Sequence, residues 1–95
     1  MGGRALQRVR VELMSAATDL LVARIHERIA EHERRAAGCT EHAQRMYAEG
    51  DVDSGDDDHR DAATYRACAI ALQWVLREMR RLGLTETETE ERKAS

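Results

Sequence analysis

The fold is decided by the stretch TDLLVARIHERIAEHERRAAGCTEHAQRMYAE, residues 18–49. Apolar, small or weakly polar side chains recur in it at steps of three and four, a spacing that places them on one face of an α-helix. This seam consists of Val22, Ile25, Ile29, His32, Ala36, Cys39, Ala43 and Met46. The intervening positions are rich in Arg and Glu, as expected of a solvated opposite face. The pattern predicts one long amphipathic helix over about 18–49.

A turn is predicted where this pattern stops, at GDVDSG, residues 50–55, because Gly and Asp supply the backbone freedom that turns need. Ser54 and Asp57 have the spacing of a helix-capping box. Beyond them a second seam recurs at Tyr65, Cys68, Leu72, Val75, Met79 and Leu82, and Ala69 and Leu76 widen it. Gly83 is a natural stop signal. A second helix is therefore predicted over about 56–82.

A short loop between two amphipathic helices makes them antiparallel neighbours, so the predicted fold class is all-α, a two-helix hairpin. With the turn centred at residues 53 and 54, the numbers of facing residues add up to about 107, and Cys39 lies opposite Cys68. The hairpin domain is expected to span 18–84. Residues 1–17 form an N-terminal extension whose Leu6, Val9 and Leu13 have helical spacing. Residues 85–95, TETETEERKAS, are expected to be a disordered polar tail.

Composition supports this class and restricts the function. The 95 residues include no Pro, fourteen Arg and one Lys, and carry a formal net charge of −3. Arg-for-Lys usage of this kind is typical of GC-rich coding genomes, such as those of actinobacteria and their phages. No apolar run is long enough to cross a membrane, and no secretory signal pattern is present. We expect a cytoplasmic protein with reduced cysteines and no membrane partner.

The seam is too thin for a stable fold of this length, so a further apolar contact is expected. A second stripe on the second helix consists of Ala63, Ala67, Ile70 and Trp74. Two copies that meet along this stripe would form a homodimer, a four-helix bundle. The competing arrangement is a third helix, formed by residues 4–17, that packs back onto the hairpin.

Charges in the hairpin are expected to separate, with acidic residues near the turn and an Arg-rich open end. That open end collects Arg24, Arg28, Arg77, Arg80 and Arg81. Arginines pair well with carboxylates and phosphates, so these residues are candidates for contact with a protein partner or with nucleic acid. The negative net charge and the lack of aromatic side chains beside the arginines disfavour nucleic acid.

A weaker hypothesis is a metal- or redox-responsive hairpin. Cys39 and His42 have the C-x-x-H spacing of half a zinc site, and Cys68 could join them across the seam. Structural zinc sites normally contain two such pairs, so small buried core cysteines are the preferred interpretation. His32 is interpreted as a seam histidine that is hydrogen-bonded to a carboxylate or carbonyl group.

No catalytic motif and no cofactor are predicted, because the sequence contains no nucleophile motif or phosphate-binding loop. The favoured interpretation is a non-enzymatic helical module that self-associates and binds a protein partner. A nucleic-acid-associated regulator is the alternative.

Overall fold

The computed structural model describes residues 2–85, and within that range the chain folds as two antiparallel helices without a strand. Helix α1 spans Gly2–Ala48, and helix α2 spans Val52–Arg81. The molecule is elongated, 74 × 30 × 16 Å. The prediction of an all-α helical hairpin is confirmed. The predicted tail lies outside the described residues except for Thr85.

The seam predicted for α1 is also confirmed. All eight of its positions are buried or half-buried, and the residues between them from 33 to 48 are exposed apart from Thr40. Towards the open end, Ile25 and Ile29 pack with Leu76 and Met79 of α2 in the main hydrophobic cluster. Near the turn the buried side chains of α1 are the small ones of Ala36 and Ala43.

The seam of α2 differs from the prediction. Its buried residues are Gly55, Ala62, Ala69, Leu76 and Met79, with Asp58, Tyr65, Leu72 and Val75 half-buried between them. Ala69 and Leu76, which were expected at the edge of the seam, lie at its centre. Cys68 and Leu82 are exposed, so their assignment to the seam is wrong.

The turn is shorter than predicted and comprises residues 49–51. Gly50 has a φ of +85°, a conformation that glycine adopts without steric cost. The Asp51 N–H donates to the Met46 carbonyl at 2.8 Å, and the Gly50 N–H donates to the Tyr47 carbonyl at 3.1 Å, which together form a Schellman motif. Asp51 is also the N-cap of α2, since its carboxylate accepts from the Ser54 N–H at 3.2 Å. The prediction of Ser54 as the cap is therefore wrong, and α2 begins four residues early.

This shorter turn changes the register of the hairpin. Its centre moves from residues 53 and 54 to residues 50 and 51, so the numbers of facing residues are expected to fall from about 107 to about 101. The order of buried positions agrees, because it pairs Met46 with Gly55, Cys39 with Ala62, and Val22 with Met79. The predicted juxtaposition of Cys39 and Cys68 is wrong by six residues, because Cys39 lies opposite Ala62.

Gly55 is buried inside α2 because the ring of Tyr47 lies directly on it. A Cβ at this position would lie 2.5 Å from Tyr47 Cε1, closer than real contacts permit. The Tyr47 hydroxyl donates to Asp56 Oδ1 at 2.6 Å and keeps the ring in place. Gly55 is therefore not a turn residue, and its lack of a side chain allows the two helices to approach closely.

Helix α2 ends where the sequence predicts. Gly83 has a φ of +75°, and the Leu84 N–H donates to the Met79 carbonyl at 2.9 Å in a second Schellman motif. In the observed register this end lies beside residue 20 of α1. Residues 2–20 of α1 therefore continue beyond α2, and we call this segment the overhang. At 1.5 Å per residue it extends by about 28 Å. The competing prediction, in which residues 4–17 fold back as a third helix, is wrong.

We expect Ala62→Leu to lower the free energy of unfolding by about 1–3 kcal/mol, because the Ala62 side chain is fully buried and a larger one cannot fit without displacing α1. Ala71→Leu is the matched control on an exposed face of the same helix and should change stability by less than about 0.5 kcal/mol. Urea unfolding followed by circular dichroism measures both. Equal stability of the two variants would contradict the close packing at Ala62.

The cap of α2 predicts a pH effect. Hydrogen bonds from the Ser54 side chain and backbone hold the pKa of the Asp51 carboxyl below its usual 3.8. The stabilisation by this carboxylate is complete above the pKa of the unfolded chain and is lost as the pH falls through the lower pKa of the folded chain. Asp51→Asn keeps a capping side chain but cannot titrate. The stability difference between wild type and Asp51→Asn should shrink from pH 6 to pH 2, and a constant difference would refute this assignment.

Candidate interaction surfaces

The α2 outer stripe, defined as Ala63, Ala67, Ile70 and Trp74, is fully exposed. Ile70 retains 59% and Trp74 57% of its surface exposed. Trp74 lies two residues from both Leu72 and Leu76, which places it about 200° around the helix from the seam. All four residues thus lie on one face that points away from α1, as the sequence predicts.

A second exposed apolar surface lies on the overhang. We call it the overhang stripe, and it consists of Leu6, Val9, Leu13, Ala16 and Leu20, spaced by three and four residues. Its large members are between 52% (Val9) and 71% (Leu6) exposed. Leu20 lies two residues from the half-buried Thr18 and Val22, so this stripe faces away from α2. The sequence shows the spacing, but only the continuity of α1 shows that the stripe is unpaired in the hairpin.

The five arginines predicted at the open end do not form one patch. Arg28 approaches Glu31 at 3.7 Å, and Arg81 donates twice to Glu78, at 2.8 and 3.0 Å. The structure brings Arg77 and Arg80 together at a groove between the helices, whereas Arg24 lies exposed outside this groove.

This groove, which we call the open-end groove, has a volume of about 350 Å³ and is lined by His26, Ile29, Gln73, Leu76, Arg77 and Arg80. Its apolar part comes from the buried Ile29 and Leu76, and its cationic part comes from the two arginines. Gln73 Nε2 donates to Glu33 across the helices at 3.3 Å and bounds the groove towards the turn. The groove can therefore accept an apolar group that is attached to an anion.

At the turn end, two acidic residues are engaged within the hairpin. His42 Nδ1 contacts the half-buried carboxylate of Asp58, and Tyr47 donates to Asp56. The hydrogen bond with Asp56 raises the pKa of the Tyr47 hydroxyl, and partial burial and the charges of Asp56 and Asp58 act in the same direction. These contacts join residues 9 and 16 positions apart. Sequence reasoning missed them because they depend on the correct register of the turn.

The proposed metal or redox residues do not converge. Cys39 is half-buried, Cys68 is exposed, both are free thiols, and His42 is turned to Asp58. Over residues 2–85 no three His, Cys, Asp or Glu side chains are grouped so that they could hold a metal ion. His32 also differs from expectation, because its buried Nδ1 has no hydrogen-bond partner among the described residues, and its ring lies 6.1 Å from that of Tyr65.

In the part of the chain that the structure describes, neither helix combines the length and the hydrophobicity needed to cross a membrane. Comparisons of the chain with protein-family models, curated proteins and solved structures found no match in any of the three.

Proposed function

We propose that this protein is a non-enzymatic interaction module that self-associates through the α2 outer stripe and presents the open-end groove to a protein partner. The observation that supports this most strongly is the alignment of Ile70 and Trp74, both more than half exposed, on one helix face. Contiguous exposed apolar surface with a polar surround is typical of association sites.

The energetics of the hairpin support self-association. Four of its eight buried hydrophobic residues are alanines, which bring little apolar area into the core. Full burial of a Val, Leu, Ile or Phe side chain contributes about 1.5–3 kcal/mol, and Trp74 is the largest apolar side chain in the chain. Contact with a second copy would cover this surface. The symmetric form of such contact, α2 against α2, is the homodimeric four-helix bundle that the sequence predicts.

The open-end groove suggests the chemistry of the partner. A carboxylate beside an apolar side chain would match the arginines and the Ile29–Leu76 floor, so an acidic protein segment with an interspersed apolar residue fits best. Contact with nucleic-acid phosphate is the second candidate, favoured by the convergence of Arg77 and Arg80. The net charge of −3 and the nearby Glu33 and Glu78 weigh against it.

Self-association is tested with Ile70→Glu and Trp74→Glu, which place a charge in the α2 outer stripe. We expect wild type to exceed the monomer mass in light scattering and both variants to fall to it, because burial of an unpaired carboxylate is costly. Thr64→Glu adds the same charge to an exposed position off the stripe and should behave like wild type. A monomeric wild type, or variants that assemble normally, would refute this part of the proposal.

The partner site is tested by affinity capture from the native host with wild type and Arg77→Ser as baits. Partners of the groove should be lost from the Arg77→Ser sample, whereas Arg60→Ser, an exposed arginine near the turn, should retain them. Proteins captured equally by all three baits would argue against the groove as the partner site.

A further inference from the structure

We propose that the overhang stripe of one copy packs antiparallel on the α2 outer stripe of a second copy, so that the chains assemble head to tail. This inference rests on the proposed self-association through α2 and names the segment that covers it. Both stripes are apolar, exposed and spaced by three and four residues, the pattern that knobs-into-holes packing requires. They are also similar in length, since the four residues from Val9 to Leu20 span as many helical turns as the four of the α2 outer stripe, and Leu6 extends beyond them.

The two stripes cannot cover each other within one chain. The overhang is continuous with the rest of α1, so its direction is set by the hairpin. Its stripe faces away from α2, and the α2 outer stripe faces away from α1. The two surfaces therefore lie on opposite sides of the molecule, and only a second copy can bring them together.

The side chains define one antiparallel register. If Leu13 faces Ile70 of the second copy, then Val9 faces its Trp74, Ala16 its Ala67, and Leu20 its Ala63. In heptad notation, each of these four layers pairs an a residue of one helix with a d residue of the other, as antiparallel coiled coils require. The small Ala63 faces the large Leu20, and the large Trp74 faces the smaller Val9. Between these layers, Ala16 and Ala67 form a small layer, and Leu13 and Ile70 form a large one.

Flanking charges agree with this register. Asp19 is brought beside Arg66 of the second copy, and Glu12 beside its Gln73. Arg66 is exposed, and its Nη2 donates a hydrogen bond to Thr40 Oγ1 at 2.7 Å. The other N–H groups of its guanidinium remain as donors for a carboxylate. Antiparallel pairing of two overhangs with Leu13 facing Ala16 would instead place Glu12 beside Asp19, a repulsive contact. Symmetric pairing of two α2 helices leaves the overhang stripe in water.

Head-to-tail contact is heterologous, because two copies meet through different surfaces, the overhang stripe of one and the α2 outer stripe of the other. Such contacts extend into chains of copies, or close into a ring, and are not limited to a dimer. The mass of the assembly should therefore rise with protein concentration beyond that of two copies.

Two variants that each remove one surface provide the test. Leu13→Glu disables the overhang stripe and Ile70→Glu disables the α2 outer stripe, so each variant alone should be monomeric in light scattering. A mixture of the two should form a 1:1 heterodimer and nothing larger, because one intact surface remains on each chain. Val11→Glu is the matched control, since Val11 is an exposed apolar residue on the opposite face of the overhang, and it should assemble like wild type.

Fluorescence gives an independent measurement in the same mixture. If the Ile70→Glu chain also carries Trp74→Phe, the remaining tryptophan belongs to the Leu13→Glu chain. Its emission should shift to shorter wavelength and saturate at one equivalent, because Val9 and Leu13 of the other chain cover it. Equal helical circular dichroism of all variants confirms that they are folded.

The possible results separate this inference from the proposed function. If Ile70→Glu is monomeric but Leu13→Glu still assembles, α2 pairs with α2, and the head-to-tail register is wrong while self-association stands. If Ile70→Glu assembles like wild type, both are wrong. Absence of a heterodimer in the mixture, or a monomeric Val11→Glu, would likewise overturn the assignment of the overhang stripe.

Discussion

The packing of small side chains along the helical seam is the constraint on which the rest of this structure depends. Ala36, Ala43, Ala62 and Ala69 are almost completely buried and let the two helices approach closely. The larger side chains that are buried in the seam, those of Ile25, Ile29, Leu76 and Met79, lie towards the open end. Alanine packing fixes the distance between the two helices but removes little apolar surface from water. It therefore contributes little to the free energy of folding of the hairpin. Other large apolar residues, which could add stability if buried, lie on outward faces, where contact with another molecule would cover them.

The register of that seam follows from one glycine. Because Gly50 ends α1 in the left-handed conformation, Asp51 can both complete the Schellman motif of α1 and cap α2. The turn then needs only three residues. Its brevity places Tyr47 over Gly55 and His42 beside Asp58, two contacts that lock the turn end.

Sequence reasoning succeeded where one face of a helix was chemically distinct from the other. In α1 the seam positions are separated by mostly charged ones, and every predicted member of the seam is at least half-buried. In α2 alanine occurs on all faces, so periodicity could not choose between Cys68 and Ala69 as the buried position. Gly55 was interpreted as a turn residue because a glycine required for close approach looks the same in a sequence. That single assignment displaced the start of α2 and the register. The residues of the α2 outer stripe were predicted to lie off the seam, and they do. That a second exposed stripe lies on the overhang, on the opposite side of the molecule, became clear only from the structure.

Together these features describe a molecule whose chemistry lies on its outer faces: two apolar stripes on opposite sides and a cationic groove at the open end. Thermal unfolding over a hundredfold range of protein concentration tests most directly whether the thin seam depends on association. Because self-association stabilises the folded state by mass action, the unfolding midpoint should rise steadily with concentration. A midpoint that does not change with concentration, together with a folded monomer at the lowest one, would contradict this dependence.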